Sequence, residues 1–478
     1  MIGSSLPEPA VRRAFAGTVL ALALGVLGCA GTGSDPDAAD VRPASAAALG
    51  SCPEGVRPLS LRCATLEVPL ERADPSLGTT EIRYAVRPRS ERSRPSLGTI
   101  FAAEGGPGYG SIPSARSYVN LFGPLLRRRE LVVVDTRGTG HSHALDCRDL
   151  QAGRGPDELG VAQCARWLGD RYGAYRTSAA ADDIDDVRRA LGLRRIDLYG
   201  DSYGTYLAQS YAFRHGDSLR ALVLDSAYPV RGESPWYPSL WRDGIRSLAT
   251  ACRRSPGCHG DARARLGRLV RQLRRRDRGV GPLLDVLSFA GNGPPGSYLR
   301  IDRAARSFLA GDLGSYERLV AVNHLGFGNQ RYYSRGLELA VSCNDYPMLW
   351  DKAASEPERR RQLERAVREY PKDRFEPFTP REVAIASEAG YLECLGWPPP
   401  SELYEPPAAP DATAPDVPTL VISGELDNVT SPTEARRVAD DFPDSRLAVI
   451  RGAGHVPSLY GSLYPAAGRV RAFLRRHG

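Results

Sequence analysis

A serine held between glycines, Gly200-Asp201-Ser202-Tyr203-Gly204, ends one apolar run and opens the stretch "TYLAQSYAF". A serine hydroxyl is a weak nucleophile until a base takes its proton and an acid orients that base. Gly-x-Ser-x-Gly meets this need where a strand precedes it and a helix follows, because a sharp turn then exposes Oγ and only small neighbours fit. Of the seven histidines, His455 alone follows a predicted sheet strand within a glycine loop, "RGAGHVP". His215, His259, His324 and His477 fall in helical or terminal stretches and are read as solvent-facing. His141 and His143 can reach a cleft mouth without being the base. Asp427 ends "TLVISGELD", at a strand's carboxyl end, where open sheets place their sites; Glu425 is the rival acid. The developing oxyanion needs preorganised donors. The N–H of Tyr203, just after the serine, is one. The loop "EGGPGYG" supplies the other, with Gly106 preferred and Gly108 next, since Pro107 has no N–H.

These groups need a frame. Short apolar runs flanked by turn residues end at Gly105, Asp135, Ser202 and Asp225, with helical stretches such as "SAAADDIDDVRRALGL" between them. Such alternation predicts an α/β fold: a mainly parallel sheet with helices on both faces. Two earlier segments, "CATLEVPLE" and "TTEIRYAVRP", alternate as strands of a solvated edge. Past Pro229 the pattern turns helical, and strands resume only at "VPTLVISGELD". The expected organisation is a leader over 1–28, a flexible tether over 29–51, a first core segment over 52–229, an inserted helical cap over 230–400 and a second core segment over 401–478.

With 478 residues, 42% hydrophobic and 25% charged, the composition is that of a globular protein with room for a large domain and an insertion. The net charge of +7 comes almost wholly from arginine, with Lys352 and Lys372 the only lysines. In the richest run, "RARLGRLVRQLRRRDRG", Leu266, Leu269, Val270 and Leu273 recur at helical spacing, so the arginines fall on a solvated helix face and no nucleic-acid partner is expected. Arg12 and Arg13 precede an apolar run, Gly17 to Gly28, too short to span a bilayer but right for a secretory leader. That run ends in Val26-Leu27-Gly28-Cys29, which resembles a lipobox with Cys29 as the lipidated residue; a plain leader with an incidental cysteine is the alternative. "RRAF" partly resembles a twin-arginine export signal. The expected location is therefore outside the cytoplasm, on the membrane through Cys29 or secreted. Removing Cys29 from nine cysteines leaves eight, an even number for an oxidising compartment. Connectivity is not fixed by sequence, but proximity suggests Cys52–Cys63, Cys147–Cys164 and Cys252–Cys258, leaving Cys343–Cys394. No cysteine pair has zinc-site spacing with histidines, so neither metal nor other cofactor is expected.

The order Ser202, Asp427, His455 is that of α/β-hydrolases. Together with Gly105-Gly106-Pro107-Gly108, "DTRGTGHS", "GDSYGTY", "SCND", "GELDNVTSP" and "GAGHVP", it resembles prolyl- and tripeptidyl-aminopeptidase-type α/β-hydrolases. The likeness runs from about Cys52 to the C-terminus and is greatest to an exported, often lipid-anchored actinobacterial group with a tripeptidyl-aminopeptidase-like C-terminal region. It implies the α/β-hydrolase fold with a helical cap, triad roles for Ser202, Asp427 and His455, and cleavage of short peptides from a free amino end. The chain departs from the usual pattern at Thr136, Asp201 and Glu104, and Asp427-Asn428-Val429-Thr430-Ser431-Pro432 replaces Asp-x-x-Thr-Pro. A carboxylesterase with the same triad and a peptide-binding lipoprotein without catalysis are the alternatives. A free amino end calls for a carboxylate partner. Asp345, in "SCNDYP", is the preferred candidate. Glu104 is the second, although a structural pair with Arg137 is the preferred reading of it.

Overall fold

A computed structural model of the chain describes residues 49–52, 59–154, 157–321, 328–386 and 392–478. The leader, Cys29, nearly all of the tether and His324 lie outside the described residues. The tether boundary needs correction. Leu49 is buried, and Gly50–Ser51 pair with Arg62 and Cys63 as a short edge strand rather than leaving the fold.

Among the described residues, nine strands build one sheet: β1 (Gly50–Ser51), β2 (Arg62–Pro69), β3 (Thr79–Arg87), β4 (Thr99–Ala103), β5 (Glu130–Val134), β6 (Ile196–Asp201), β7 (Leu219–Asp225), β8 (Thr419–Gly424) and β9 (Ser445–Ile450). Their order is β1-β2-β3-β5-β4-β6-β7-β8-β9. β4 through β9 are mutually parallel, and the first three strands join antiparallel at one edge. The sequence explains the division. "TIFAA" and "ELVVV" are buried along their whole length, as parallel strands covered on both faces must be. "RCATLEVP" alternates instead, one side to the core and one to water.

Helices Ser111–Phe122 and Ala466–His477 cover one face through Tyr118, Phe122, Val470 and Leu474. Helices Thr177–Ala190, Tyr203–His215 and Pro432–Asp441 cover the other through Ile184, Leu207, Tyr211 and Val438. Between β7 and β8 the described residues form helices, among them Pro238–Arg253, Ala262–Arg275, Gly281–Ser288, Gly296–Leu309 and Arg335–Asp345. Their apolar residues, such as Trp241, Leu284 and Phe308, belong to the same buried cluster as Leu222 and Leu224 of β7. The cap is thus fused to the sheet domain rather than hinged above it. In helix Ala262–Arg275, Leu266, Leu269, Val270 and Leu273 point inward and most arginines face water. Arg265 is the exception: it is buried against Asp302 and donates at 2.7 Å. Four disulfides join Cys52–Cys63, Cys147–Cys164, Cys252–Cys258 and Cys343–Cys394. The last ties helix Arg335–Asp345 to the turn Glu393–Gly396. Among the described residues, no helix is long and apolar enough to cross a membrane.

Candidate active site

β6 delivers Ser202 at its carboxyl end, and helix Tyr203–His215 starts immediately after it. The turn is tight enough to hold Ser202 at φ 54° and ψ −124°, a conformation that costs a non-glycine residue about 1–3 kcal/mol. Gly200 is obligatory there, because a Cβ on it would stand 2.1 Å from the carbonyl oxygen of Gly204. Three bonds hold the strained serine's backbone: its N–H donates to the Asp225 carbonyl at 3.0 Å, and its carbonyl accepts from Thr205 N–H at 2.9 Å and from Thr205 Oγ1 at 2.7 Å.

His455 lies on the loop after β9, with Nε2 2.8 Å from Ser202 Oγ and Nδ1 2.9 Å from Asp427 Oδ2. In the neutral imidazole, Nδ1–H donates to the carboxylate and Nε2 is left to accept the serine proton. Asp427 is fully buried. Its Oδ1 accepts from the N–H groups of Val429 and Thr430 at 2.9 and 3.1 Å, and its Oδ2 accepts from Thr430 Oγ1 at 3.0 Å. Three donors besides the imidazole therefore fix the carboxylate in direction. Glu425, the rival acid, is turned outward. It forms a two-pronged pair with Arg254 at 2.7 and 2.8 Å, which holds its carboxyl below the usual range.

The oxyanion side is equally close. Tyr203 opens its helix, so its N–H is among the first-turn donors that have no intrahelical acceptor. The glycine loop after β4 packs directly on the nucleophile: a Cβ on Gly105 would come within 2.8 Å of Ser202 Cβ and 3.4 Å of its Oγ. Gly106 and Gly108 follow at φ 123° and 121°. The N–H of Gly105 is occupied by Glu104 Oε1 at 3.2 Å, which leaves Gly106 as the neighbour to offer a donor.

Glu104 and Asp345 need correction. Glu104 does not pair with Arg137. That guanidinium is held by both oxygens of Asp183 at 2.7 Å and by the carbonyls of Leu70 and Ala174. Glu104 is buried beneath the oxyanion loop, and its Oε2 has no hydrogen-bond partner among the described residues. Nor does Asp345 stand ready for a substrate ammonium. Its Oδ2 accepts from the N–H and hydroxyl of Thr177 at 2.8 and 2.6 Å, and its Oδ1 accepts from Tyr404 at 3.2 Å. It caps helix Thr177–Ala190 from a distant part of the chain, which satisfies a first-turn donor of that helix. Burial raises its carboxyl above the usual range. His215 is also no free surface group, since its Nε2 lies 2.8 Å from Asp182. His141 Nδ1 sits 3.2 Å from Asp135 Oδ2, away from the triad bonds.

Three supporting residues were missed by the sequence reading. Asn428 is buried beside the acid and bonds to the cap at five points: the N–H of Gly291, the hydroxyl of Tyr298, and the carbonyls of Leu240, Leu287 and Ser288. Gly291 in turn accepts from His455 N–H at 2.7 Å. Ser226 Oγ accepts from Val456 N–H at 2.7 Å, and Asp225 Oδ2 accepts from Ser458 N–H at 3.0 Å, so the end of β7 grips the turn after the histidine. The available signal was position alone: Asn428 adjoins the acid, and Asp225 and Ser226 end the strand between nucleophile and acid.

Residues 99–249 match the family model described as alpha/beta hydrolase fold, and residues 383–477 match that described as TAP-like protein. Tripeptidyl aminopeptidase from Streptomyces lividans is 28% identical over 208 residues, covering 38% of this chain and 38% of that protein. Proline iminopeptidase from Neisseria gonorrhoeae is 26% identical over 170 residues, 33% of this chain and 46% of its own length. Serine protease Hip1 from Mycobacterium tuberculosis is 26% identical over 223 residues, 41% of this chain and 42% of that protein. The chain thus spans less than half the length of each of these curated relatives.

Proposed function

We propose, for a chain that has the α/β-hydrolase fold with a TAP-like C-terminal region, that it is an exported serine peptidase releasing short peptides from a free amino end. The observation that carries the reading is the chain of contacts from Ser202 Oγ to His455 Nε2 and from His455 Nδ1 to Asp427 Oδ2, at 2.8 and 2.9 Å. In this mechanism His455 takes the serine proton as Oγ attacks the scissile carbonyl. Asp427 holds the imidazole in the productive tautomer and balances the imidazolium that forms. The N–H groups of Tyr203 and Gly106 receive the oxyanion. The imidazolium then protonates the leaving amine, an ester to Ser202 remains, and water deprotonated by His455 releases the acyl peptide.

The names of the relatives support a peptidase, and the four disulfides are compatible with an oxidising compartment. Lipidation at Cys29 is part of the proposal. The test is hydrolysis of tripeptidyl amides against p-nitrophenyl esters by purified protein, with a fluorophosphonate probe reporting on Ser202. Amide turnover with labelling is expected. Turnover of esters alone assigns a carboxylesterase, and absence of both labelling and turnover removes the enzymatic reading.

A further inference from the structure

A cavity of about 210 Å³ is lined largely by residues at the start of the cap. Tyr206 forms part of its wall and stands one turn after Ser202 on the same helix. The ring of Tyr206 stacks on that of Tyr203, whose N–H is the proposed oxyanion donor, at 6.1 Å between centroids. Tyr228, three residues after β7, stacks on Tyr206 from its other side at 5.2 Å, and Tyr346 meets Tyr206 edge-on at 5.5 Å. Tyr237, Pro229 and Val230 complete the apolar wall.

Most of the polar groups on this wall are already engaged. The hydroxyls of Tyr228 and Tyr346 bond to each other at 2.6 Å, and that of Tyr237 donates to the Pro347 carbonyl at 3.0 Å. Glu233 accepts from Arg437 at 2.9 Å, and Lys352 donates to the Asn344 carbonyl at 2.6 Å. Asp345 is held by Thr177 and Tyr404, as described above. A charged occupant would have to compete for these partners, whereas an apolar one gains ring contacts. The volume exceeds the roughly 150 Å³ of a cavity that holds benzene, so a phenyl or branched aliphatic group fits.

We propose that this cavity is a specificity subsite that receives a large apolar side chain, preferentially aromatic, of the substrate whose carbonyl Ser202 attacks. The proposal rests on the hydrolase reading above and names the side-chain class it selects. Val230 is the residue through which to test it, because it lines the cavity with an aliphatic side chain and makes no side-chain hydrogen bond. Val230→Phe fills the space; Val230→Ala enlarges it.

The assay compares substrates carrying Gly, Ala, Leu, Phe, Trp, Asp or Lys at the acylating residue, each made both as a p-nitroanilide and as a p-nitrophenyl ester. For the wild type, kcat/KM for Phe and Leu should exceed that for Gly by at least about tenfold, with Asp and Lys disfavoured, since a filled apolar pocket is worth one to two powers of ten. The Phe-to-Gly ratio should fall about tenfold in Val230→Phe. In Val230→Ala the preference should move toward a larger ring such as Trp, a readout that survives if the filled variant does not fold. A flat wild-type series, a preference for Asp or Lys, or a Phe-to-Gly ratio indifferent to both substitutions overturns the subsite. Turnover of the esters without the anilides overturns the peptidase reading alone, and the ester series still measures the side-chain preference.

Discussion

Asp225 offers a test in which stability and catalysis should move in opposite directions. The residue ends β7 with no exposed surface, and burial pushes its carboxyl up to about 6 from 3.8. Bonds from Ser458 and Tyr199 and the nearby His455 pull the other way without cancelling the burial. Its Oδ1 has no partner among the described residues. Because the folded carboxyl binds its proton more tightly than the unfolded one, its favourable contribution is complete below about pH 4 and disappears as pH rises through about 6. At pH 8 the buried charge then costs the fold about 3 kcal/mol. Asp225→Asn removes this cost and keeps an oxygen for Ser458 N–H. At about 2.1 cal/mol/K per residue, a folded chain of this length has an unfolding entropy of about 1 kcal/mol/K, so the gain corresponds to roughly 3 °C in Tm. Thermal melts of both proteins from pH 4 to pH 8 should show the variant gaining on the wild type with rising pH, by about that amount. The value of kcat should meanwhile fall, because an anion that balances the imidazolium formed in the transition state has gone. A Tm difference that stays constant with pH, or turns against the variant above pH 6, would refute the reasoning.

The remaining predictions use the same geometry. Ser202→Ala and His455→Ala should each lower kcat more than about a thousandfold with the far-UV spectrum unchanged, since the triad acts as a unit; most of the activity surviving in either variant would remove the mechanism. Asn428→Ala should destabilise the protein by about 3 kcal/mol or more and lower kcat, because five cap bonds are lost and buried carbonyls are left unpaired. Replacing Cys343 and Cys394 together by serine should cost about 2–5 kcal/mol in urea melts, and alkylation of the native protein should label none of the eight disulfide cysteines. Asp345→Asn should reduce turnover of peptides and of neutral esters in equal proportion, as expected of a residue that caps Thr177; a selective rise in KM for free-amino peptides would restore it as an amine-binding group.

The legible parts were those in which one residue type has few physical uses. Gly200 and Gly204 fit only a turn as tight as the one Ser202 makes, and His455 follows the acid in the chain on a glycine loop after a sheet strand. The parallel strands were readable because burial on both faces forces continuous apolar runs, as in "ELVVV". Buried charge was not readable. Glu104 and Asp345 are carboxylates in glycine-rich or cap segments, and sequence alone does not say whether such a group faces a ligand or a distant backbone N–H. Arg137 was misassigned for the same reason: its partner Asp183 lies 46 positions away on another helix. Asn428 was seen only as a departure from a pattern, because the cap carbonyls it serves come from segments near positions 240 and 288, about 140 to 190 residues upstream.

Those long-range contacts change what the cap does in this fold. Asp427 is aimed by donors on its own loop, Val429 and Thr430, but the next residue on that loop, Asn428, is anchored to helices Pro238–Arg253 and Gly281–Ser288. Through Gly291, the same cap segment also holds the backbone of His455. Acid and base are therefore positioned relative to each other by the cap as well as by the sheet. From below, Tyr199 lies in the field of Asp225, Asp201 and Glu104, and Tyr118 donates to Asp201 at 2.9 Å. Asp225 on that side favours a positive imidazole in the transition state, while the strained Ser202 and the charged Asp225 both cost folding free energy. Sites of this kind persist only where the surrounding structure over-determines them. The cap supplies that surplus here, which is why the Asn428 substitution should impair catalysis and stability together, whereas Asp225→Asn should separate them.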